Sequence, residues 1–113
     1  MTDFTRDLNV IVQNVEIKHK GKIRFPMRHF DRIADRSVKE MSLGTRAENA
    51  LGRNGFKTFN DIAKRINKLN ARGAGVKTIK EIKNAYMSYY YDNLNETERK
   101  DFWRDVVEAT ENM

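Results

Sequence analysis

The stretch that most constrains this chain is Arg72-Gly73-Ala74-Gly75-Val76-Lys77-Thr78-Ile79-Lys80-Glu81-Ile82-Lys83. It reads as a glycine turn feeding directly into a helix. Thr78 is placed as the N-cap, and Glu81 stands three residues on, the spacing of a capping box. Gly75 lies just ahead, where the backbone must turn sharply or approach something closely. Free backbone N–H groups at such a start, with Lys77 and the Thr78 hydroxyl, form a small concave donor set that suits a phosphate oxygen. One acid, Glu81, interrupts the basic residues Arg72, Lys77, Lys80 and Lys83. A related form occurs earlier, in Ser42-Leu43-Gly44-Thr45-Arg46-Ala47-Glu48, with Thr45 as cap and Glu48 three residues on. Together the two predict helix N-termini presented side by side. The plain reading of both is an ordinary helix start, with a capping Thr, a turning Gly and a solvated Lys. Capping and phosphate binding use the same geometry, so the two readings overlap.

Helical spacing organises most of the remaining sequence. A helix from Thr45 should end at Asn54-Gly55-Phe56, with Gly55 left-handed and Phe56 against Leu51. Thr58 caps the next helix, whose apolar stripe is Phe59, Ile62, Ala63 and Ile66. Leu69 and Ala71 are expected in a further helical turn. The helix from Thr78 carries Ile79, Ile82, Ala85, Tyr86, Tyr89 and Tyr90 at helical spacing, which leaves Tyr91 outside the stripe and exposed. A base-stacking platform of tyrosines is the alternative to core packing, and packing is preferred. Asn95 and Glu98 start a last helix bearing Phe102, Trp103, Val106 and Val107. Upstream, Phe30, Ile33 and Ala34 follow Pro26 and predict a short amphipathic helix over 27–36. Before that, Val10-Ile11-Val12 and the alternation of Val15, Ile17, Ile23 and Phe25 predict a small β-hairpin turning at Gly21. The alternative there is a basic arm without fixed structure. The fold class is therefore all-α, a compact domain of four to five helices, with that hairpin as an addition.

Charge narrows the function. Residues 44–87 hold ten basic and three acidic side chains, and residues 88–113 hold three and seven. A basic segment is the electrostatic footprint of a nucleic-acid binder, against the plain reading of a solvated helix face. Cysteine is absent and the two histidines lack ligand-like company, so no metal site and no cofactor is expected. Gly73-Ala74-Gly75-Val76-Lys77-Thr78 fails the phosphate-binding loop pattern, which needs Gly immediately before Lys. No nucleophile–base pair or paired-carboxylate site stands out, so an enzyme is not expected. No apolar run has membrane-spanning length and the N-terminus lacks an apolar signal region, which makes a cytoplasmic protein without membrane partner the default.

Read together, Val38, Met41 and Leu43, then Thr45-Arg46-Ala47-Glu48-Asn49-Ala50-Leu51, Asn54-Gly55-Phe56-Lys57-Thr58 and Gly75-Val76-Lys77-Thr78-Ile79-Lys80-Glu81-Ile82-Lys83 resemble the C-terminal domain of the bacterial RNA polymerase alpha subunit. The resemblance spans about Ser37 to Met87. It implies a helix-hairpin-helix-like element that binds the DNA minor groove and phosphates, and contacts to transcription factors or RNA polymerase. It implies that Arg46 enters the minor groove with Asn49 as polar partner on the same face, and that Gly75, Lys77 and Thr78 hold phosphates, with Lys80 beside them. The departures are Val76 where a basic residue is usual, Ala74 where a larger apolar one is, and a segment between Phe59 and Gly75 about two residues short of the family's usual length. At 113 residues there is no room for the alpha subunit's assembly domain, so a free-standing relative is expected. The expected division is an N-terminal extension, 1–36, an alpha C-terminal-domain-like body, 37–92, and an acidic C-terminal helix packed on it, 93–113. The expected function is a small DNA-binding module of weak sequence preference in transcription regulation. A protein-interaction module using the same fold is the alternative.

Overall fold

The computed structural model describes residues 2–14, 23–26, 29–70 and 72–111. Five α-helices follow one another: α1 (Asp3–Asn14), α2 (Thr45–Arg53), α3 (Phe59–Ala63), α4 (Val76–Asp92) and α5 (Glu96–Glu111). Short 3-10 turns lie at Phe30–Arg32, Val38–Glu40 and Ile66–Lys68. Among the described residues there is no strand, and one isolated antiparallel bridge joins Ser37 to Thr58. The domain is all-α, as the spacing predicts.

Most of the expected β-hairpin lies outside the described residues, and its described parts, Val10, Ile11, Val12, Ile23 and Phe25, are not strand. Val10, Ile11 and Val12 lie in the last half of α1. Their β-branching favours a strand locally, but Phe4, Leu8 and Ile11 stand at helical spacing and pack on the core, and that packing outweighs propensity. The expected turn at Gly21 falls outside the described residues. Downstream, Phe25 is buried, and its N–H and C=O bond the Asn67 side-chain amide at 2.8 and 3.1 Å.

Helix α4 is the spine. One side carries Tyr86 and Tyr89 against Phe59 of α3, where Ala47, Ala50, Phe59 and Ile62 are wholly buried. The Phe59 ring meets Tyr86 edge-on at 5.6 Å. On the other side α1 and α5 build an aromatic layer in which Phe4 stacks on Trp103, with centroids 5.9 Å apart and planes 14° from parallel. Tyr91 belongs to that layer and is only 1% exposed, contrary to expectation. A single apolar stripe leaves it outside, but α4 is covered on two faces. Its hydroxyl donates to Asp7 and accepts from Trp103 Nε1 at 2.8 Å. Burial, then the bond to Asp7, push the Tyr91 phenol up to about 12.

Locally signalled ends form as read. Gly55 has φ +75, and the bonds Phe56 N–H to Leu51 O and Gly55 N–H to Gly52 O complete a Schellman ending. Asn95 and Glu98 cap each other reciprocally, at 3.0 and 2.8 Å. Asp61 closes a capping box on Thr58. The backbone N–H groups of Lys57 and Thr58 hold the Asp61 carboxyl below its usual range. The short helix expected over 27–36 is reduced to the turn Phe30–Arg32 in its described part. The carbonyls of Ala34 and Arg36 are instead taken by the N–H groups of Asn60 and Phe59, both at 2.9 Å, which ties this segment to the start of α3. Leu69 is extended after the turn Ile66–Lys68 rather than helical, and Ala71 lies outside the described residues.

Candidate nucleic-acid interface

Helix α2 divides sharply between its faces. Ala47, Ala50 and Leu51 are buried, while Arg46, Asn49 and Arg53 form an exposed stripe at i, i+3 and i+7. Beside this stripe runs the glycine turn. Asn54, just past the end of α2, clamps that turn. Its Oδ1 accepts from Arg72 N–H at 2.8 Å, and its Nδ2 donates to Arg72 O at 3.1 Å and to Ala50 O at 2.7 Å. Gly73 then takes φ +84, a left-handed conformation that favours glycine.

Both helix starts differ from the expected caps. Helix α4 begins at Val76 with Gly75 as N-cap, and α2 begins at Thr45 with Gly44 as N-cap. Thr78 is therefore the third residue of α4 and is buried, so its backbone N–H, rather than its hydroxyl, belongs to the helix start. The first hydrogen bond of the helix runs from Ile79 N–H to Gly75 O at 3.0 Å. By helix geometry the N–H groups of Val76, Lys77 and Thr78 have no carbonyl partner, and Gly75 offers no capping group. Glu81 does not close a box on Thr78. It reaches across to α2, where its Oε2 accepts the Gly44 N–H at 2.8 Å. Glu81 and Asn54 thus fasten opposite ends of α2 to the turn–helix unit, and the two N-termini stand side by side, as expected.

Between them lies a cleft of about 540 Å3 lined by Thr45, Arg46, Asn49, Arg53, Gly73 and Gly75. Of the residues read from sequence, Arg46, Asn49 and Gly75 meet in it. Lys77 and Lys80 are exposed on the first turns of α4, outside the lining. Lys83 turns away: its ammonium sits 5.2 Å from the Phe25 ring centroid, and burial lowers its pKa. Among the described residues, none of Arg46, Arg53, Arg72, Lys77 and Lys80 is held in an ion pair. No residue of α5 lines the cleft, so the acidic helix does not shield it. Three residues of the site escaped sequence reading. Arg53 was detectable from its spacing to Arg46; Gly73 and Asn54 depend on contacts between segments distant in sequence.

Residues 28–86, just over half of the sequence, match the family described as the C-terminal domain of the bacterial RNA polymerase alpha chain. The protein belongs to this family. As a member of the alpha C-terminal domain family it is, in general kind, a DNA-binding domain of transcription, from a family that is not itself catalytic and that interacts with transcription factors and polymerase. The match starts ahead of Ser37 and takes in the turn Phe30–Arg32, while α1 and α5 lie outside it. No curated protein and no solved structure matches it. Among the described residues, no helix is long and apolar enough to cross a membrane, and no group of three or more metal-ligating residues occurs.

Proposed function

We propose that the cleft between α2 and the glycine turn is the DNA-contacting face, gripping the phosphate backbone and the minor groove with weak sequence preference in transcription regulation. Arg46 senses the narrow, negative groove, with Asn49 beside it. The unpaired N–H groups of Val76, Lys77 and Thr78 receive a phosphate, Gly75 lets the backbone approach, and Lys77 and Lys80 add charge. The observation that carries this reading is the convergence of Arg46, Asn49 and Gly75 on one cleft beside an uncapped helix start. In this proposal residues 37–92 are the DNA-binding body, 1–36 an N-terminal extension and 93–113 an acidic brace.

The test is an NMR titration of the labelled protein with a short A·T-rich duplex at two salt concentrations. Shifts concentrated at residues 45–53 and 73–80, fading as salt rises, are the expected result. Lys77→Ala should weaken binding on every sequence, and Arg46→Ala should also erase any A·T preference. Unchanged affinity in both variants would count against this face.

One observation favours a second reading, a protein-interaction module. A groove of about 550 Å3 lies on the other flank of α2, with Val38, Leu51 and Phe56 along its floor and Lys39 and Lys57 at its edge. Silence at residues 45–50 and 73–80, with shifts at this groove when a transcription partner is added, would move the function there.

A further inference from the structure

Arg53 is the last residue of α2. A cation at a helix C-terminus is favoured by the helix dipole, and that alone could account for its type. Its geometry says more. The guanidinium lies against Gly73: a Cβ placed on that glycine would sit 3.4 Å from Nη2, 3.7 Å from Cζ and 4.0 Å from Nε. Three atoms of the plane thus face the one position that a side chain at residue 73 would take, and Arg53 lines the same cleft as Arg46 and Asn49. These distances turn the face of the guanidinium toward Gly73. Among the described residues, no ion pair or side-chain hydrogen bond occupies its edge. An arginine edge carries five N–H donors in a planar fork that matches a phosphate.

The spacing assigns that edge to the DNA backbone. Arg53 stands seven residues after Arg46, roughly 10 Å along the axis at about 1.5 Å per residue, and on nearly the same face. The minor groove is only about 6 Å wide. With Arg46 in the groove and α2 crossing it, a cation that far along the helix meets a strand wall, not a base edge.

We propose that Arg53 is a phosphate-anchoring residue of the DNA face, held flat on Gly73 so that its donor edge meets the backbone. This rests on the DNA reading of the cleft. Gly73 has a double role in it: it supplies the left-handed turn and leaves no side chain beneath the guanidinium.

The experiment measures affinity for an A·T-rich and a G·C-rich duplex across a salt series, using the full-length protein and its Arg53→Met, Arg53→Gln, Arg53→Lys and Arg46→Ala variants. Met keeps an unbranched stem over Gly73 and removes the charge. Its expected effect is a slope of log affinity against log salt shallower by roughly one, with both duplexes weakened by the same factor. The melting temperature should fall by no more than the loss of the helix-dipole interaction accounts for, an interaction that Arg53→Lys retains. If the Met variant melts lower still, Arg53→Gln, with a planar polar head, reads the same slope. Arg53→Lys should restore the slope but bind less tightly than the parent, because it loses the fork. Parental slopes in both Met and Gln variants, while Arg46→Ala flattens it, would leave Arg53 a brace for the turn and overturn the proposal. If the parent itself shows no salt-dependent binding, the DNA reading fails and the anchor with it. The parent and Arg46→Ala controls tell these two failures apart.

Discussion

Gly73 and Gly75 stand two residues apart and answer to different demands. Gly73 has φ +84, a left-handed conformation strained for any side chain, and a Cβ there would reach van der Waals contact with the Arg53 guanidinium at 3.4 Å. Gly75 has φ −80, and a Cβ there would meet nothing within 4 Å. The fold therefore requires glycine at the first position and not at the second. Gly73→Ala should lower stability by about 1–2 kcal/mol through left-handed strain. Gly75→Ala should cost less, about 0.5–1 kcal/mol, because Ala is a poorer N-cap than Gly but meets no strain there. If a phosphate approaches the α4 start, Gly75→Ala should nevertheless weaken DNA binding. Denaturant unfolding of both variants and a duplex titration of the second check this. Equal destabilisation by the two would mean that the turn is held differently. The sequence pointed to Gly75 as a place where the chain turns sharply or approaches something closely, and the duplex titration tests the approach. It could not show that Thr78 is buried and that Gly75 is itself the cap, because Thr is a good cap by type and only the register of the helix decides otherwise.

At the scale of elements, legibility follows the distance between partners along the sequence. Asn95 and Glu98 are three residues apart, and their reciprocal cap was readable. Glu81 lies 37 residues from Gly44, and Asn54 lies 18 from Arg72. No local pattern announces such pairs, so the joints that align α2 with the turn were invisible. Glu98 combines both kinds. Besides capping α5, it takes a two-pronged hydrogen bond from Arg32 in the turn Phe30–Arg32, and His29 Nε2 stands 3.5 Å away. The Arg32 bonds first, and the Asn95 N–H next, hold its carboxyl down at about 2, against an ordinary value of 4.5. A depressed carboxyl contributes stability above its unfolded pKa and loses it as pH falls through the folded one. Glu98→Gln keeps the cap but drops the charge. The stability gap between variant and parent should be constant above about pH 5 and should close between 4.5 and 2. Thermal melts at stepped pH measure the gap. A gap that persists unchanged near pH 2.5 would place the effect in packing rather than ionisation.

Across the whole molecule the question is how the parts outside the family match belong to it. Residues 28–86 carry the cleft, while α1 and α5 supply the aromatic layer on the far side of α4. That layer is continuous with the rest of the core: Phe4 touches Phe25, Tyr91 and Trp103, and Tyr91 and Tyr90 both touch Phe102. Tyr90 meets the layer at Phe102 and stands one helical turn from Tyr86, which faces Phe59. Unfolding on one side of α4 should therefore reach the other, and α1 should act as a structural part of the binding body. The protein has a single tryptophan, Trp103, which stacks on Phe4 and makes fluorescence a reporter of the α1–α5 layer alone. Amide signals of Ala47 and Ala50 report the cleft side. Phe4→Ala should cost about 3–5 kcal/mol, as large-to-small changes at buried aromatics do, out of a total that is commonly about 5–15 kcal/mol. Both reporters should then melt together at a lower temperature, because a small domain with one connected core unfolds cooperatively. Trp103 fluorescence melting well before the Ala47 and Ala50 amides would instead make α1 and α5 a separable cover. Residues 28–86 would then hold their fold without it, and the N-terminal extension would be free to serve a partner of its own.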